Sequence, residues 1–230
     1  MKNYFIVGHS SGIGKALTEL LSADNKIFGT YYKSNFDFKN PNVSTHYLNV
    51  LDEKYDLSFL PDSIYGFVYC PGSINLKPFE RIKEAEFIDD YRLQVLGAIK
   101  IIQSIIPKLK KGIYPSIVLF STVAVQTGFK FHSIVSSSKG AIEGLTKSLA
   151  AEYAPKIRVN CIAPSLTDTP LASGFINTEE KLIQNSERHP MKSIGAAEDV
   201  ASLAAFLLSE KSKFITGRIF HIDGGIGAIK

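Results

Sequence analysis

The residues best placed by type and spacing to do chemistry come early in the chain, at Val7-Gly8-His9-Ser10-Ser11-Gly12-Ile13-Gly14. Tyr4 to Val7 is an apolar run of strand formers, and Lys15 to Leu21 carries apolar residues at helical spacing, so the glycines fall in a turn between a strand and a helix. Such a turn cradles phosphate. Gly8 permits a sharp exit from the strand, and Gly12 lets backbone approach a pyrophosphate. Gly14 lets the helix start pack close to the sheet while its N–H groups face the anion, with Ser10, Ser11 and Ile13 completing the turn. A glycine-rich turn without a ligand is the competing reading, disfavoured by the strand before it and the helix after it. The cofactor form depends on what meets the ribose 2′ position after the second strand. An acidic residue there suits the free hydroxyl of NAD, and a cation suits the 2′-phosphate of NADP. Lys26 to Tyr32 leads into Lys33-Ser34 with no Asp or Glu before Asp37, so Lys33 points to NADP, with NAD as the alternative and a solvated loop lysine as the plain one.

Three residues separate the first two glycines and one separates the last two, and further segments join them in one pattern. Asn49-Val50 follows a strand-like run, and Val68-Tyr69-Cys70-Pro71-Gly72 closes another. Ile157 to Ser165 leads into Thr167-Asp168-Thr169-Pro170-Leu171, and Ile215-Thr216-Gly217 and Ile222-Asp223-Gly224-Gly225 end the chain. Across nearly its whole length the chain resembles the short-chain dehydrogenase/reductase family. The resemblance implies that Asn49 and Val50 contact adenine, that Gly72 stands in the loop after the fourth strand, and that Pro164 and Thr167 belong to the nicotinamide-side loop, with Ser165 where a glycine is usual. It also implies hydride transfer between NADP(H) and a small carbonyl or alcohol, and a homodimer or homotetramer.

In that family a Tyr exchanges the proton on the substrate oxygen, a Lys four residues later lowers its pKa and holds the nicotinamide ribose, and a Ser about thirteen residues earlier polarises the carbonyl. An Asn in the preceding long helix completes a proton relay. Aligned on Lys139-Gly140-Ala141-Ile142-Glu143-Gly144-Leu145-Thr146, the chain has Val135 at the Tyr position, Thr122 at the Ser position and Gln94 at the Asn position. Only Lys139 matches unchanged, and valine transfers no proton. His132 is the best replacement in the sequence: one helical turn ahead of Val135, it shares a face with it, and its ordinary pKa near 6.5 suits acid or base work. A loop or capping histidine satisfied by backbone is the bland alternative. Tyr69 is a second candidate that is better read as packing against the adenine side or the sheet. Ser136, Ser137 and Ser138 belong to the helix start, and Ser121 is expected to bond backbone. Tyr153 lies roughly 20 Å along the same helix from Lys139 and is excluded from one site with it. An oxidoreductase with an altered proton donor is therefore the first reading, and a catalytically inactive dinucleotide-binding sensor or complex subunit the second.

The elements that must position these groups follow from the pattern. Strands are expected near 4–7, 26–31, 45–50, 64–70, 115–120, 157–162 and 218–222, and helices near 13–22, 79–110, 134–154, 178–187 and 197–209. This alternation predicts an α/β fold: a single Rossmann-like doubly wound parallel sheet with helices on both faces, one domain over 1–230, with ligands at the carboxyl ends of the strands. Pro107 is expected to kink or close the long helix, and Gly112 to terminate it after Lys108, Lys110 and Lys111. Thr167 to about Met191 is the least regular stretch and, by the resemblance, a substrate lid. The 230 residues are 45% hydrophobic, enough for one sizeable core. A net charge of +4 without a basic stripe gives no footprint for nucleic acid. The sequence holds no long apolar span, signal peptide or repeat, no metal-ligand cluster is called, and the chain enters its first strand directly, which reads as a cytoplasmic protein without membrane association. Cys70 and Cys161 are read as reduced, packed thiols.

Overall fold

Tyr4, Phe5, Ile6 and Val7 are buried on both faces of the first strand, as a parallel sheet covered by helices on either side requires. The computed structural model describes residues 1–229. In chain order the elements are β1 (Asn3–Val7), α1 (Gly12–Leu21), β2 (Lys26–Tyr31), β3 (Val43–Tyr47), β4 (Gly66–Tyr69), a 3₁₀ turn (Phe79–Arg81), α2 (Glu84–Tyr91), a π turn (Arg92–Leu96) and α3 (Gly97–Leu109). They continue with β5 (Ser116–Phe120), α4 (Ala124–Thr127), α5 (Ser133–Tyr153), β6 (Arg158–Pro164), β7 (Thr167–Asp168), a 3₁₀ turn (Pro170–Ala172), α6 (Ser173–Ile176), α7 (Glu179–Glu187), β8 (Gly195–Ala196), α8 (Ala197–Leu208), a 3₁₀ turn (Glu210–Ser212) and β9 (Ile219–Ile222).

Seven strands form one parallel sheet in the order β3-β2-β1-β4-β5-β6-β9, and β7 pairs with β8 in a separate two-residue ladder. One core layer packs the sheet against α3 and α5 through Val95, Ile101, Ile102, Ile105, Leu109, Ile142 and Ala150. The other packs it against α1 and α8 through Ala16, Leu17, Val200, Ala204, Leu207 and Leu208. Arg158, buried at the start of β6, ties the second layer down: its guanidinium donates to the Leu207 and Ser209 carbonyls at 2.8 and 3.1 Å, setting a cation at the C-terminal end of α8. The strand order reverses between β1 and β4, so a crevice opens at their carboxyl ends, where Val7 pairs with both Thr30 and Tyr69.

The long helical stretch differs from its expected form. It opens as a separate 3₁₀ turn, turns extended at Ile82 and Lys83, restarts at Glu84 and contains the π turn at Arg92–Leu96. Pro107 sits in the last turn of α3 and the helix runs two residues past it. Gly112 is needed for close approach: a Cβ there would lie 2.4 Å from the Ile64 carbonyl oxygen. Lys108 is not free in solvent either, since it donates to the Leu60 and Pro61 carbonyls at 3.1 and 2.9 Å. Cys70 and Cys161 are free thiols, the first half-buried and the second buried. Among the described residues no helix is long and apolar enough to cross a membrane.

Candidate active site

The glycine turn sits at the mouth of the crevice. Gly8 and Gly12 have φ of +78° and +51°, the left-handed region that favours glycine. Gly14 has no room for a side chain, because a Cβ would stand 2.2 Å from the Gly8 carbonyl oxygen; this is the close packing of helix start on strand end that the spacing predicts. Gly8 and His9 both donate their N–H to the Thr30 carbonyl, at 3.1 and 3.0 Å, which fixes the turn on β2. Helix α1 begins after Ser11 with no side-chain cap and no acidic residue in its first turn, so its leading N–H groups are open to an anion. Ser10 and Ile13 are half-buried and Ser11 exposed. Cys70 and Pro71 lie against Gly8, and Thr169 and Pro170 lie against Gly12, so the turn, the segment after β4 and the loop after β6 converge. A diphosphate fits this cradle of backbone donors.

Lys139 projects from the second turn of α5 toward the segment after β4: a Cβ on Gly72 would be 3.8 Å from its Nζ. Burial pushes its pKa down to about 8, opposed by the neighbouring Cys161, Asp90 and Cys70. Burial in turn pushes both thiols up to about 12, so they stay neutral. Val135 is 5% exposed and packed into the core at the register where a proton donor is expected. The Thr122 hydroxyl oxygen accepts the Ala124 N–H at 3.3 Å, which leaves its own hydrogen free to donate. His132 is the residue before α5; its Nδ1 lies 2.7 Å from the Lys130 carbonyl, which only accepts, so Nδ1 carries the hydrogen and Nε2 is the open nitrogen. It stands seven residues before Lys139, about 10 Å along the helix and on the same face.

The hydroxyls of Tyr69, Ser121, Ser136 and Ser137 are occupied. Tyr69 donates to the Leu93 carbonyl at 2.6 Å, within the π turn, and burial raises its pKa, so its phenol is a structural bolt. Gly97 makes this possible, because a Cβ there would lie 2.3 Å from the Tyr69 hydroxyl. Ser136 and Ser137 donate to the Ala124 and Ser133 carbonyls. Ser121 departs from expectation: its hydroxyl donates to the buried Glu143 carboxylate at 2.5 Å, which a sequence period cannot show because the partner lies 22 residues on, in α5. Tyr153 lies at the far end of α5, with Lys110 over its ring at 5.4 Å.

Asn49, expected to contact adenine, is half-buried and its side chain is engaged locally, donating to Asp52 at 2.7 Å and accepting the Leu51 N–H at 3.1 Å. The Val50 side chain is buried in the core. Lys33 is exposed just past β2. Pro164 ends β6 and accepts the Val123 N–H at 3.0 Å, which sets the loop after β6 beside Thr122. Thr167 is buried and donates to the Ser165 carbonyl at 3.1 Å.

Gln94 was singled out from sequence at the family's Asn position, but its partners Asp90 and Ser73, and His189 beyond them, were not. Gln94, buried in the π turn, donates its amide to both oxygens of Asp90 at 2.9 and 2.8 Å, and the Ser73 hydroxyl donates to the same carboxylate. The i, i+4 spacing of Asp90 and Gln94 was the available signal. His189 is 3% exposed, donates from Nδ1 to the Asn185 carbonyl at 2.9 Å and accepts the Ser165 hydroxyl at Nε2 at 3.0 Å, pinning the loop after β6 to the end of α7. His9, inside the glycine turn, is fully buried with its ring 4.8 Å from that of Phe38.

The family model described as enoyl-(acyl carrier protein) reductase matches residues 57–227. A tropinone reductase homolog of Arabidopsis thaliana is 36% identical over 156 residues, which are 67% of this chain and only 60% of that relative's length. The 3-oxoacyl-[acyl-carrier-protein] reductase FabG of Thermotoga maritima is 30% identical over 96% of each chain. Among solved structures, a short chain dehydrogenase family protein from Francisella tularensis superposes with a TM-score of 0.89 at 29% identity, over 99% of both chains. A tyrosine-to-phenylalanine variant of ElxO with NADPH bound superposes with a TM-score of 0.82 at 29% identity, over 98% of both. The seven-stranded doubly wound sheet, the glycine turn at its switch point and these matches together make the chain a member of the short-chain dehydrogenase/reductase family.

Proposed function

We propose that this chain is an NADP(H)-dependent oxidoreductase, one domain over residues 1–230, that interconverts a small carbonyl and its alcohol with an altered proton donor. The observation that carries the reading is Lys139, desolvated beside Gly72 within the same pocket wall as Gln94, which is the arrangement a ribose-binding ammonium needs. The nicotinamide, when bound, supplies or accepts the hydride. Gly8, Ser10, Ser11, Gly12, Ile13 and Gly14 hold the diphosphate on backbone N–H groups, and Lys33 meets the 2′-phosphate. Asn49 and Val50 border adenine, Gly72 and Lys139 border the nicotinamide ribose, and Pro164 and Thr167 border the carboxamide. Thr122 donates its free hydrogen to the substrate oxygen and polarises the carbonyl, and His132, or a water on Lys139, exchanges the proton. The protein works in the cytoplasm as a homodimer or homotetramer; half-buried Ile99, Ile106, Leu145 and Leu149 on α3 and α5 supply apolar surface for pairing.

Val135 favours a second reading, a dinucleotide sensor without turnover, because a buried valine stands at the proton donor's register and the phenol of Tyr69 is bolted to backbone. NADPH in the ElxO variant that lacks a tyrosine supports binding without that phenol. A panel of small ketones and aldehydes with NADPH, read at the nicotinamide absorbance, separates the two. Under the first reading at least one substrate turns over, Lys139→Ala abolishes it, and His132→Ala lowers kcat by about 100-fold. An unchanged pH–rate profile in His132→Ala removes that residue from the role, and binding without turnover across the panel supports the sensor.

A further inference from the structure

Asp90 is a buried carboxylate that the reading above leaves without a task. It lies in the last turn of α2, is 6% exposed, and takes up the Gln94 amide nitrogen on both oxygens and the Ser73 hydroxyl on one. A carboxylate only accepts, so Gln94 must present its NH₂ to Asp90, and its carbonyl oxygen is turned the opposite way. That oxygen is buried, has no protein partner, and lies toward Gly72: a Cβ on Gly72 would be 3.3 Å from it and 3.8 Å from Lys139 Nζ. An unpaired acceptor and an ammonium thus face the same backbone atom. Resting on the oxidoreductase reading, we propose that Asp90 is a positioning residue for Lys139, acting through Gln94, which it locks in the one orientation that aims an acceptor at the lysine's side of the site and keeps the lysine charged for the nicotinamide ribose.

The groups around Lys139 bear this out. Cys70 follows β4, Cys161 lies on β6 and Asp90 lies on α2; the thiols are held neutral by burial, which leaves Asp90 as the anion of the three. Burial alone drives the lysine toward its amine, and the Asp90 carboxylate opposes that.

The test follows the Lys139 Nζ titration by side-chain NMR in the ligand-free protein, for the native chain, Asp90→Asn and Gln94→Met, with circular dichroism to verify folding and NADPH affinity read in parallel by nicotinamide fluorescence. Asp90→Asn is expected to lower the lysine midpoint by roughly one unit and to weaken NADPH near pH 8 by about fivefold, the ammonium lost by such a shift. Gln94→Met should move the midpoint in the same direction, and it decides the matter if Asp90→Asn does not fold. A midpoint unmoved in the folded variants overturns the proposal. A shifted midpoint in a protein that takes up no NADPH supports the Asp90–Gln94–Lys139 coupling and overturns only the functional reading.

Discussion

Acidification should destabilise this protein through one histidine in its glycine turn. His9 is 0% exposed, its ring lies on β2 where a Cβ on Gly29 would be 1.9 Å from Nδ1, and Phe38 covers the other side. Neither ring nitrogen has a protein partner. Burial, with the nearby His46, pushes its pKa down from 6.5 to about 4. The unfolded chain therefore binds the proton at higher pH than the folded one. The stability held by neutral His9 is complete above about pH 6.5 and is lost as pH falls toward about 4. At 1.36 kcal/mol per unit, the 2.5-unit gap amounts to roughly 3 kcal/mol at its full extent, with about 2 kcal/mol already gone near pH 5. Urea unfolding at about pH 8 and about pH 5 measures this in the native chain and in His9→Leu, which keeps the volume and removes the titration. His46 and the carboxylates contribute to both slopes, so the difference between them isolates His9. The variant should lose about 2 kcal/mol less than the native chain over that interval while staying within about 1 kcal/mol of it at the higher pH. Equal losses in the two proteins refute the reasoning.

Gly14→Ala places a Cβ 2.2 Å from a backbone oxygen that cannot swing aside, and should cost roughly 2–3 kcal/mol in urea unfolding, together with most of the dinucleotide affinity. Dinucleotide affinity should fall as pH rises through about 8, where Lys139 passes from ammonium to amine, and the fall should vanish in Lys139→Ala; fluorescence titrations across that range measure it. Lys33→Asp, at an exposed position beyond β2, should lower the ratio of NADP to NAD affinity by about tenfold, measured by competition binding; an unchanged ratio removes Lys33 from the 2′-phosphate site.

Most of the fold was legible because its signals are local. The strands fall within about three residues of their expected limits, since apolar runs bounded by turn residues mark them directly. The π turn was not legible: it inserts one residue into a helix whose apolar period continues on both sides, and only the buried Gln94 betrays it. The β7–β8 ladder of two residues per strand is too short to carry an alternation. In the site, the glycine turn was readable because conformation and close packing dictate the residue type, as Gly14 shows. Asp90 and Ser73 were not, because their pairing joins a helix to a loop 17 residues away. His189 likewise reaches Ser165 across 24 residues, and neither partner's type announces the other.

The central claim is that a pyridine dinucleotide settles on the open amides at the start of α1 with its reactive end at Lys139. Isothermal calorimetry of the folded chain with NADPH and with NADP⁺ tests it most directly. Saturable heat with the native chain and weakened uptake by Lys139→Ala are predicted; no uptake of either nucleotide by folded native protein contradicts the account.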